Sequence, residues 1–145
     1  MELQRTTEST MKVLVDTDVW SEAFRKEGQK SEYVRELQFL IKEGRIQLIG
    51  IIRMEILCGI RDERIFHLLK EKLSAFPDNP LESDIFVMAA QFFNLCRKKG
   101  IQGSNNDFII CACSVLWKLP ILSKDQDYAN YQKILPIEIA QLRTC

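Results

Sequence analysis

Histidine is nearly absent from this chain of 145 residues, and its absence removes several common kinds of catalytic site. The single histidine, His67, lies in an amphipathic helix pattern and has no partner histidine. Catalysis by Ser/His/Asp or Cys/His groups, and zinc sites built on histidine, are therefore poorly supported.

Paired cysteines are missing as well. The five cysteines are an odd number and include no C-x-x-C pair, which fits neither a disulfide framework nor a zinc knuckle. Cys111 and Cys113 lie two positions apart in a helical pattern, so their side chains point to nearly opposite sides of the helix. We interpret the cysteines as reduced residues that mostly belong to the core.

The chain also has no net charge and no long apolar run. Twenty basic residues balance twenty acidic ones, so a phosphate-bearing partner needs local positive charge rather than general attraction. No segment approaches 18 uncharged apolar residues, and residues 1–10 contain no apolar stretch. This argues against a membrane span and a signal peptide, and we expect a cytoplasmic protein. We predict residues 1–10 to be a disordered leader or the result of an early start codon.

What remains is the composition of one globular domain, with 46% hydrophobic and 28% charged residues. We assign residues 11–145 to that domain. Strand patterns alternate with helix patterns, which favours an α/β fold with a central parallel sheet. We predict strands at residues 12–15, 47–51 and 120–122 and an edge strand at 134–139. We predict helices at residues 31–43, around Glu55, and at 65–73, 86–96 and 108–117.

Four acidic residues stand out because each lies just past an apolar run: Asp16, Glu55, Asp107 and Asp125. In an open parallel α/β sheet, side chains at the carboxyl ends of the strands converge on one crevice. The four acids can therefore form one negatively charged pocket, and such a pocket needs a cation. Carboxylate oxygens select hard cations such as Mg²⁺ or Mn²⁺.

The segments that carry these acids resemble a known family. In chain order they are residues 13–20 (VLVDTDVW), Glu55 with Gly59, Gly100 leading to residues 107–112 (DFIICA), and residues 121–128 (ILSKDQDY). Together they resemble the successive motifs of a PIN domain, and they are most similar to those of VapC-type toxins from prokaryotic toxin–antitoxin pairs. The resemblance runs from Met11 to about Ile139. It implies a three-layer α/β/α sandwich, a metal-dependent ribonuclease acting on single-stranded RNA, a dimer, and a cognate antitoxin that inhibits it.

The resemblance also implies roles for single residues. Asp16, Glu55, Asp107 and Asp125 match the acidic quartet of the family. We expect Asp16 and Asp107 to be the main direct metal ligands, with the other two binding through water or positioning the attacking water. Phosphodiester hydrolysis by one or two carboxylate-held magnesium or manganese ions is consistent with this set.

Three further residues are expected to support the ligands from a second layer of contacts: Thr17, Ser123 and Asp127. Ser123 matches the small hydroxyl residue that precedes the last acid of the quartet by two positions. Asp18 departs from the family, which usually has a small uncharged polar residue there, so the number of metal-facing acids stays open.

Two other functional interpretations remain open. Asp16-Thr17-Asp18 after an apolar strand also fits a haloacid-dehalogenase-like phosphatase with Asp16 as nucleophile, although the chain is short and Glu55 then has no role. The third interpretation is a non-catalytic PIN-like module that acts by binding alone. Five basic residues are candidates for contacts with an RNA backbone, or members of a solvated surface: Arg53, Arg97, Lys98, Lys99 and Lys124.

Overall fold

The structure is a computed structural model that describes residues 11–25 and 31–143. The prediction for residues 1–10, and the last two residues of the predicted domain, lie outside this part of the chain.

A small parallel sheet forms the centre of the molecule. Strand β1 (Val13–Val15) lies between β2 (Ile46–Gln47) and β3 (Ile121–Leu122), and all three run parallel. Leu14 of β1 is in register with Gln47 on one side and with Ile121 on the other. All three side chains of β1 are buried, as expected for the middle strand of a sheet covered on both faces.

Seven helices lie within the described residues. They are α1 (Thr17–Ala23), α2 (Glu32–Lys42), α3 (Gly50–Leu57), α4 (Glu63–Leu73), α5 (Ser83–Lys98), α6 (Asn105–Trp117) and α7 (Asp127–Gln132). Helix α1 contacts α2 and α3, α3 contacts α4, and α5 packs against α6. The predicted α/β sandwich with a central parallel sheet is confirmed. No helix in this part of the chain is long and apolar enough to cross a bilayer.

Helix α2 illustrates how the local sequence sets these elements. The Ser31 side chain accepts a hydrogen bond from the backbone N–H of Tyr33 (3.1 Å) and so caps the helix start. Leu37 and Leu40 are buried on its inner face. After the helix, Gly44 adopts a φ of 65°, a left-handed conformation that glycine adopts without steric cost.

Three predictions need correction, two about strands and one about the buried face of a helix. The second strand was predicted at residues 47–51, but it spans Ile46–Gln47 and the chain enters α3 at Gly50. Leu48 makes only an isolated parallel bridge to Asp78. The predicted edge strand at 134–139 is likewise reduced to one bridge, between Ile121 and Ile139. These segments are too short for apolar periodicity to fix their ends.

The third correction concerns the buried face of α5. The sequence predicts one apolar face on this helix, made of Phe86, Ala89, Ala90, Phe93 and Cys96. Phe86 is 48% exposed, however, whereas Ile85 and Phe92 are buried. The buried row is Ile85, Ala89, Phe92 and Cys96, spaced for one helical face. Two adjacent apolar rows exist on this helix, and the sequence does not say which one α6 covers. The core assignment of Cys96, Cys111 and Cys113 is confirmed, while Cys58 is exposed.

Candidate metal centre

The four predicted acids come from four different elements that meet beside the carboxyl ends of the strands. Asp16 follows β1 and caps α1, Glu55 lies in α3, Asp107 lies in the first turn of α6, and Asp125 follows β3. Burial raises the pKa of both Asp16 and Glu55, and the negative charge of Asp107 adds to both shifts. Asp107 therefore lies close enough to act electrostatically on acids from two other elements.

Asp16 is the most deeply placed of the four, with 9% of its surface exposed. Its Oδ1 accepts a hydrogen bond from the backbone N–H of Thr17 (2.9 Å), and its Oδ2 accepts one from the Ser123 hydroxyl (3.1 Å). Burial raises the pKa of Asp16 to about 7, and the charges of Asp18 and Asp107 contribute to the increase against the effect of the two hydrogen bonds. Ionised Asp16 is thus energetically costly in the metal-free protein.

Asp18 ties the loop after β3 to the start of α1. Its Oδ2 accepts hydrogen bonds from the Lys124 backbone N–H (2.9 Å) and from the Ser123 hydroxyl (3.1 Å). The Ser123 hydroxyl has one proton, so it can donate to Asp16 or to Asp18 but not to both at once. The Ser123 oxygen also accepts the backbone N–H of Asp125 (3.0 Å). Ser123 therefore contacts three of the acids, although its functional role stays a prediction.

A second cluster joins Asp107, Asp125 and Asp127. Each offers a carboxylate oxygen, and these oxygens lie within 4.8 Å of one another. Burial raises the pKa of Asp127, and the charges of Asp125 and Asp107 raise it further. The sequence placed Asp127 outside the direct ligands, but this geometry makes it a candidate ligand alongside two members of the quartet. Among the described residues, Asp16 and Glu55 do not complete this close cluster.

Glu55 is half-buried, and its Oε1 lacks a hydrogen-bond partner among the residues described. The Asp18 Oδ1 is also buried without a partner in that part of the chain. Burial raises the pKa of Glu55, and the charge of Asp107 adds to the shift, whereas the Thr17 and Asn106 side chains oppose it. Buried oxygens without a donor are costly, and a bound cation with its waters would satisfy them.

Two tyrosines that the sequence did not single out contact Asp107. The Tyr131 hydroxyl donates to Asp107 Oδ2 at 2.7 Å, and the Tyr128 hydroxyl lies 3.5 Å from Oδ1. Both tyrosines belong to α7 and are buried. Their spacing of three residues in a helix is the only sequence signal that they share a face, and it does not name Asp107 as their partner.

The basic residues considered for RNA contacts are partly engaged in the fold. Arg53 donates to both carboxylate oxygens of Asp78 and to the backbone carbonyl oxygen of Leu73 (3.0 Å). Lys124 forms an ion pair with Glu22, and the Arg97 guanidinium lies 5.1 Å from the centre of the Phe93 ring. Lys98 and Lys99 are exposed at the end of α5. Arg53 is thus a structural residue.

These residues fit a hard divalent cation. All candidate ligands are carboxylate oxygens, which Mg²⁺ and Mn²⁺ prefer. Asp107, Asp125 and Asp127 bring three of them close together, and the partnerless oxygens of Glu55 and Asp18 offer further acceptor sites.

Comparisons with known proteins agree with this chemistry. The family model for the PIN domain matches residues 13–134. Ribonuclease VapC11 of Mycobacterium tuberculosis is 29% identical over 135 residues, which cover 90% of this chain and 99% of that protein. The solved structure of VapBC2 from Rickettsia felis bound to a promoter DNA fragment superposes with a TM-score of 0.74 and 16% identity, covering 90% of this chain and 98% of that chain. A toxin-antitoxin complex from Klebsiella pneumoniae gives a TM-score of 0.61 and 21% identity, covering 88% and 100%.

Proposed function

The chain belongs to the PIN domain family, and from that premise we propose that it is a metal-dependent endoribonuclease that cleaves single-stranded RNA as the toxin of a toxin–antitoxin pair. The observation that carries the proposal is the meeting of Asp16, Glu55, Asp107 and Asp125 from four separate elements. The similarity to VapC ribonucleases along nearly the whole chain supports the same activity.

In this proposal the acids have distinct tasks. Asp16 and Asp107 hold the cation directly, because each is anchored by neutral hydrogen-bond donors and has a carboxylate directed into the site. Asp125 and Asp127, which are exposed to solvent, provide the remaining carboxylate ligands next to Asp107. Glu55, whose Oε1 has no donor among the described residues, orients the attacking water. Thr17 and Ser123 hold the carboxylates in place.

The divalent cation, Mg²⁺ or Mn²⁺, supplies the positive charge that attracts the scissile phosphate and lowers the pKa of the attacking water. Burial is the main cause of the raised pKa of Asp16 and of Glu55, and the negative charge of Asp107 raises both further. An RNA phosphate therefore cannot approach these acids without a compensating cation.

We extend the proposal to the partners. A cognate antitoxin is expected because structural relatives include a toxin-antitoxin complex, and a homodimer is expected from the family resemblance. Two exposed apolar side chains of α5 are available for contacts with an antitoxin or with a second copy of the chain: Phe86 and Val87. We place the protein in the cytoplasm, where its proposed RNA substrate is found. Size-exclusion chromatography with light scattering would give twice the mass of one chain for the dimer.

The phosphatase interpretation is less well supported, because it gives no role to Glu55, whose pKa is raised mainly by burial and further by the charge of Asp107. A PIN family match also covers the segment that this interpretation depends on.

The test is expression of the chain alone in a prokaryotic host, together with RNA cleavage by the purified protein. We expect the wild type to arrest growth and to cleave single-stranded RNA with Mg²⁺ but not with EDTA. Glu55→Gln should abolish both effects while retaining the fold, and Glu63→Gln, an exposed acid of α4, should abolish neither. Normal growth at high soluble expression of the wild type would refute the toxin assignment, and metal-dependent hydrolysis of phosphomonoesters without RNA cleavage would favour the phosphatase.

A further inference from the structure

The last helix of the described chain, α7, places a tyrosine hydroxyl against a proposed metal ligand. Tyr131 is completely buried, and its hydroxyl donates to Asp107 Oδ2 at 2.7 Å. That distance is typical of a strong hydrogen bond between a hydroxyl and a carboxylate. Tyr128 approaches the other oxygen of Asp107, but its 3.5 Å separation is too long for a comparable bond.

The ring of Tyr131 is fixed by other aromatic side chains. Its centre lies 5.1 Å from that of Phe108 and 5.4 Å from that of Tyr128. Phe108 in turn makes an edge contact with Phe93 of α5 at 5.7 Å. Because these rings are buried and packed on several sides, the Tyr131 hydroxyl cannot swing away from Asp107 without disturbing the core.

Gly103 gives an independent indication that this position of the phenol is specifically accommodated. A Cβ atom at residue 103 would lie 2.3 Å from the Tyr131 oxygen, 2.8 Å from its Cζ and 2.9 Å from its Cε1. These separations are shorter than any ordinary contact. The φ angle of Gly103 is not in the left-handed region, so the backbone conformation does not demand glycine. Glycine is needed at residue 103 because the Tyr131 ring takes the space that a Cβ atom would occupy.

Hydrogen bonds with Ser104 and Tyr131 hold Asp107 at both its backbone and its side chain. Its backbone N–H is held by the Ser104 hydroxyl at 3.1 Å, which fixes the start of α6, and Tyr131 then fixes the side chain. The phenol binds one oxygen of the Asp107 carboxylate, which also has an oxygen within 4.8 Å of those of Asp125 and Asp127. The hydrogen bond therefore restricts the orientation of a carboxylate that belongs to this cluster.

We propose that Tyr131 is a positioning residue for Asp107 and that Gly103 provides the space it needs, so that this pair sets the affinity of the cation site. The inference rests on the proposed function, because it takes Asp107 as a ligand for a divalent cation. Tyr131 itself touches neither the cation nor the RNA; it acts through the orientation of one carboxylate.

The decisive measurement is Mn²⁺ binding to the metal-free full chain by titration calorimetry. Tyr131→Phe keeps the ring and its packing but removes the donor, so we expect Mn²⁺ affinity to fall about 10–100-fold, the usual effect of losing such a supporting hydrogen bond. Tyr128→Phe on the same helix is the matched control, and its effect should stay below about threefold because its contact with Asp107 is long. Circular dichroism and urea unfolding in EDTA would verify the fold of each variant.

A second variant tests the space at residue 103. Gly103→Ala should displace the Tyr131 hydroxyl and weaken Mn²⁺ binding as Tyr131→Phe does. When the two substitutions are combined, the affinity should fall by much less than the product of the single effects, because both remove the same hydrogen bond.

The outcomes separate this inference from the proposed function. Wild-type Mn²⁺ affinity in folded Tyr131→Phe, with binding lost in Asp107→Asn, would overturn the inference alone. Binding that is unchanged in Asp107→Asn would overturn both the inference and the assigned metal site. Mn²⁺ binding that depends on Tyr131, in a protein that cleaves no RNA, would support the inference and refute the nuclease. Loss of RNA cleavage in Tyr131→Phe at unchanged Mn²⁺ affinity would also overturn the inference about Tyr131.

Discussion

Replacing Asp16 by asparagine should make the metal-free protein more stable at high pH. Asp16 is 9% exposed, and burial together with the charges of Asp18 and Asp107 raises its pKa from 3.8 to about 7. A folded-state pKa above the unfolded one means that the folded protein binds more protons between these two values. The contribution of Asp16 to the free energy of unfolding is therefore most favourable below about pH 4, and this contribution is lost as the pH rises through about 7.

The size of the effect follows from the shift. Each pKa unit corresponds to about 1.36 kcal/mol, so a shift of about three units costs roughly 4 kcal/mol at pH 8, where Asp16 is ionised in both states. At pH 5 the folded protein keeps the proton, and the cost is only about 1.6 kcal/mol. Asparagine carries no charge at either pH and can still accept the hydrogen bond from the Thr17 backbone N–H.

Urea unfolding in EDTA at pH 5 and pH 8 measures this difference. We expect the advantage of Asp16→Asn over the wild type to grow by about 2–3 kcal/mol between the two pH values. The matched control is Asp62→Asn, since Asp62 is also a helix cap, at the start of α4, but is exposed. Its stability relative to the wild type should change little with pH. An Asp16→Asn advantage that is equal at pH 5 and pH 8 would refute the argument that a crowded, buried charge is responsible.

Three further predictions concern the metal, the loop and the arginine. Mg²⁺ or Mn²⁺ should raise the melting temperature of the wild type by binding only the folded state, and a shift that survives in the Asp16→Asn/Asp107→Asn double variant would show that the ion binds elsewhere. Asp18→Ser should retain most metal-dependent RNA cleavage under saturating metal, whereas Asp107→Asn loses nearly all; equal loss in a cleavage assay would make Asp18 a ligand. Arg53→Met should lower the free energy of unfolding by about 2 kcal/mol, because it leaves the carbonyl oxygen of Leu73 and the Asp78 carboxylate without their donor; unchanged urea unfolding would contradict this.

The placement of Asp16 at a strand end and of Asp107 at a helix start could be predicted from the sequence because each follows a local signal. Asp16 directly follows three buried residues of the central strand, and Asp107 lies three residues after the serine that caps its helix. Parallel strands bring such positions together whatever the details of the loops. The α/β fold followed from the same alternation of strand and helix patterns.

Thr17 and Ser123 were expected as supporting residues from the family resemblance, but the partners of Ser123 and the role of Tyr131 could not be predicted, because these contacts join residues that are distant in sequence. Ser123 and Asp18 are 105 residues apart, and Tyr131 and Asp107 are 24 apart. Helix α7 has six residues and β3 has two, which is too short for apolar periodicity to indicate a face. The unexpected role of Asp127 has the same origin, since only the turn into α7 brings its carboxylate to Asp107 and Asp125.

The site is therefore organised by neutral donors, and this has a physical consequence. Among the described hydrogen bonds, a backbone N–H donates to Asp16, another backbone N–H donates to Asp18, and a tyrosine hydroxyl donates to Asp107. The Ser123 hydroxyl donates to either Asp16 or Asp18. Such donors fix the direction of each carboxylate but cancel no net charge. Burial, the main cause of the raised pKa of Asp16, and the repulsion that adds to it therefore both persist. A lysine or arginine in their place would relieve that repulsion and compete with the cation for the same oxygens. Neutral donors leave the charge available, and the oriented but mutually repelling carboxylates then bind a divalent cation more strongly than a neutralised cluster would.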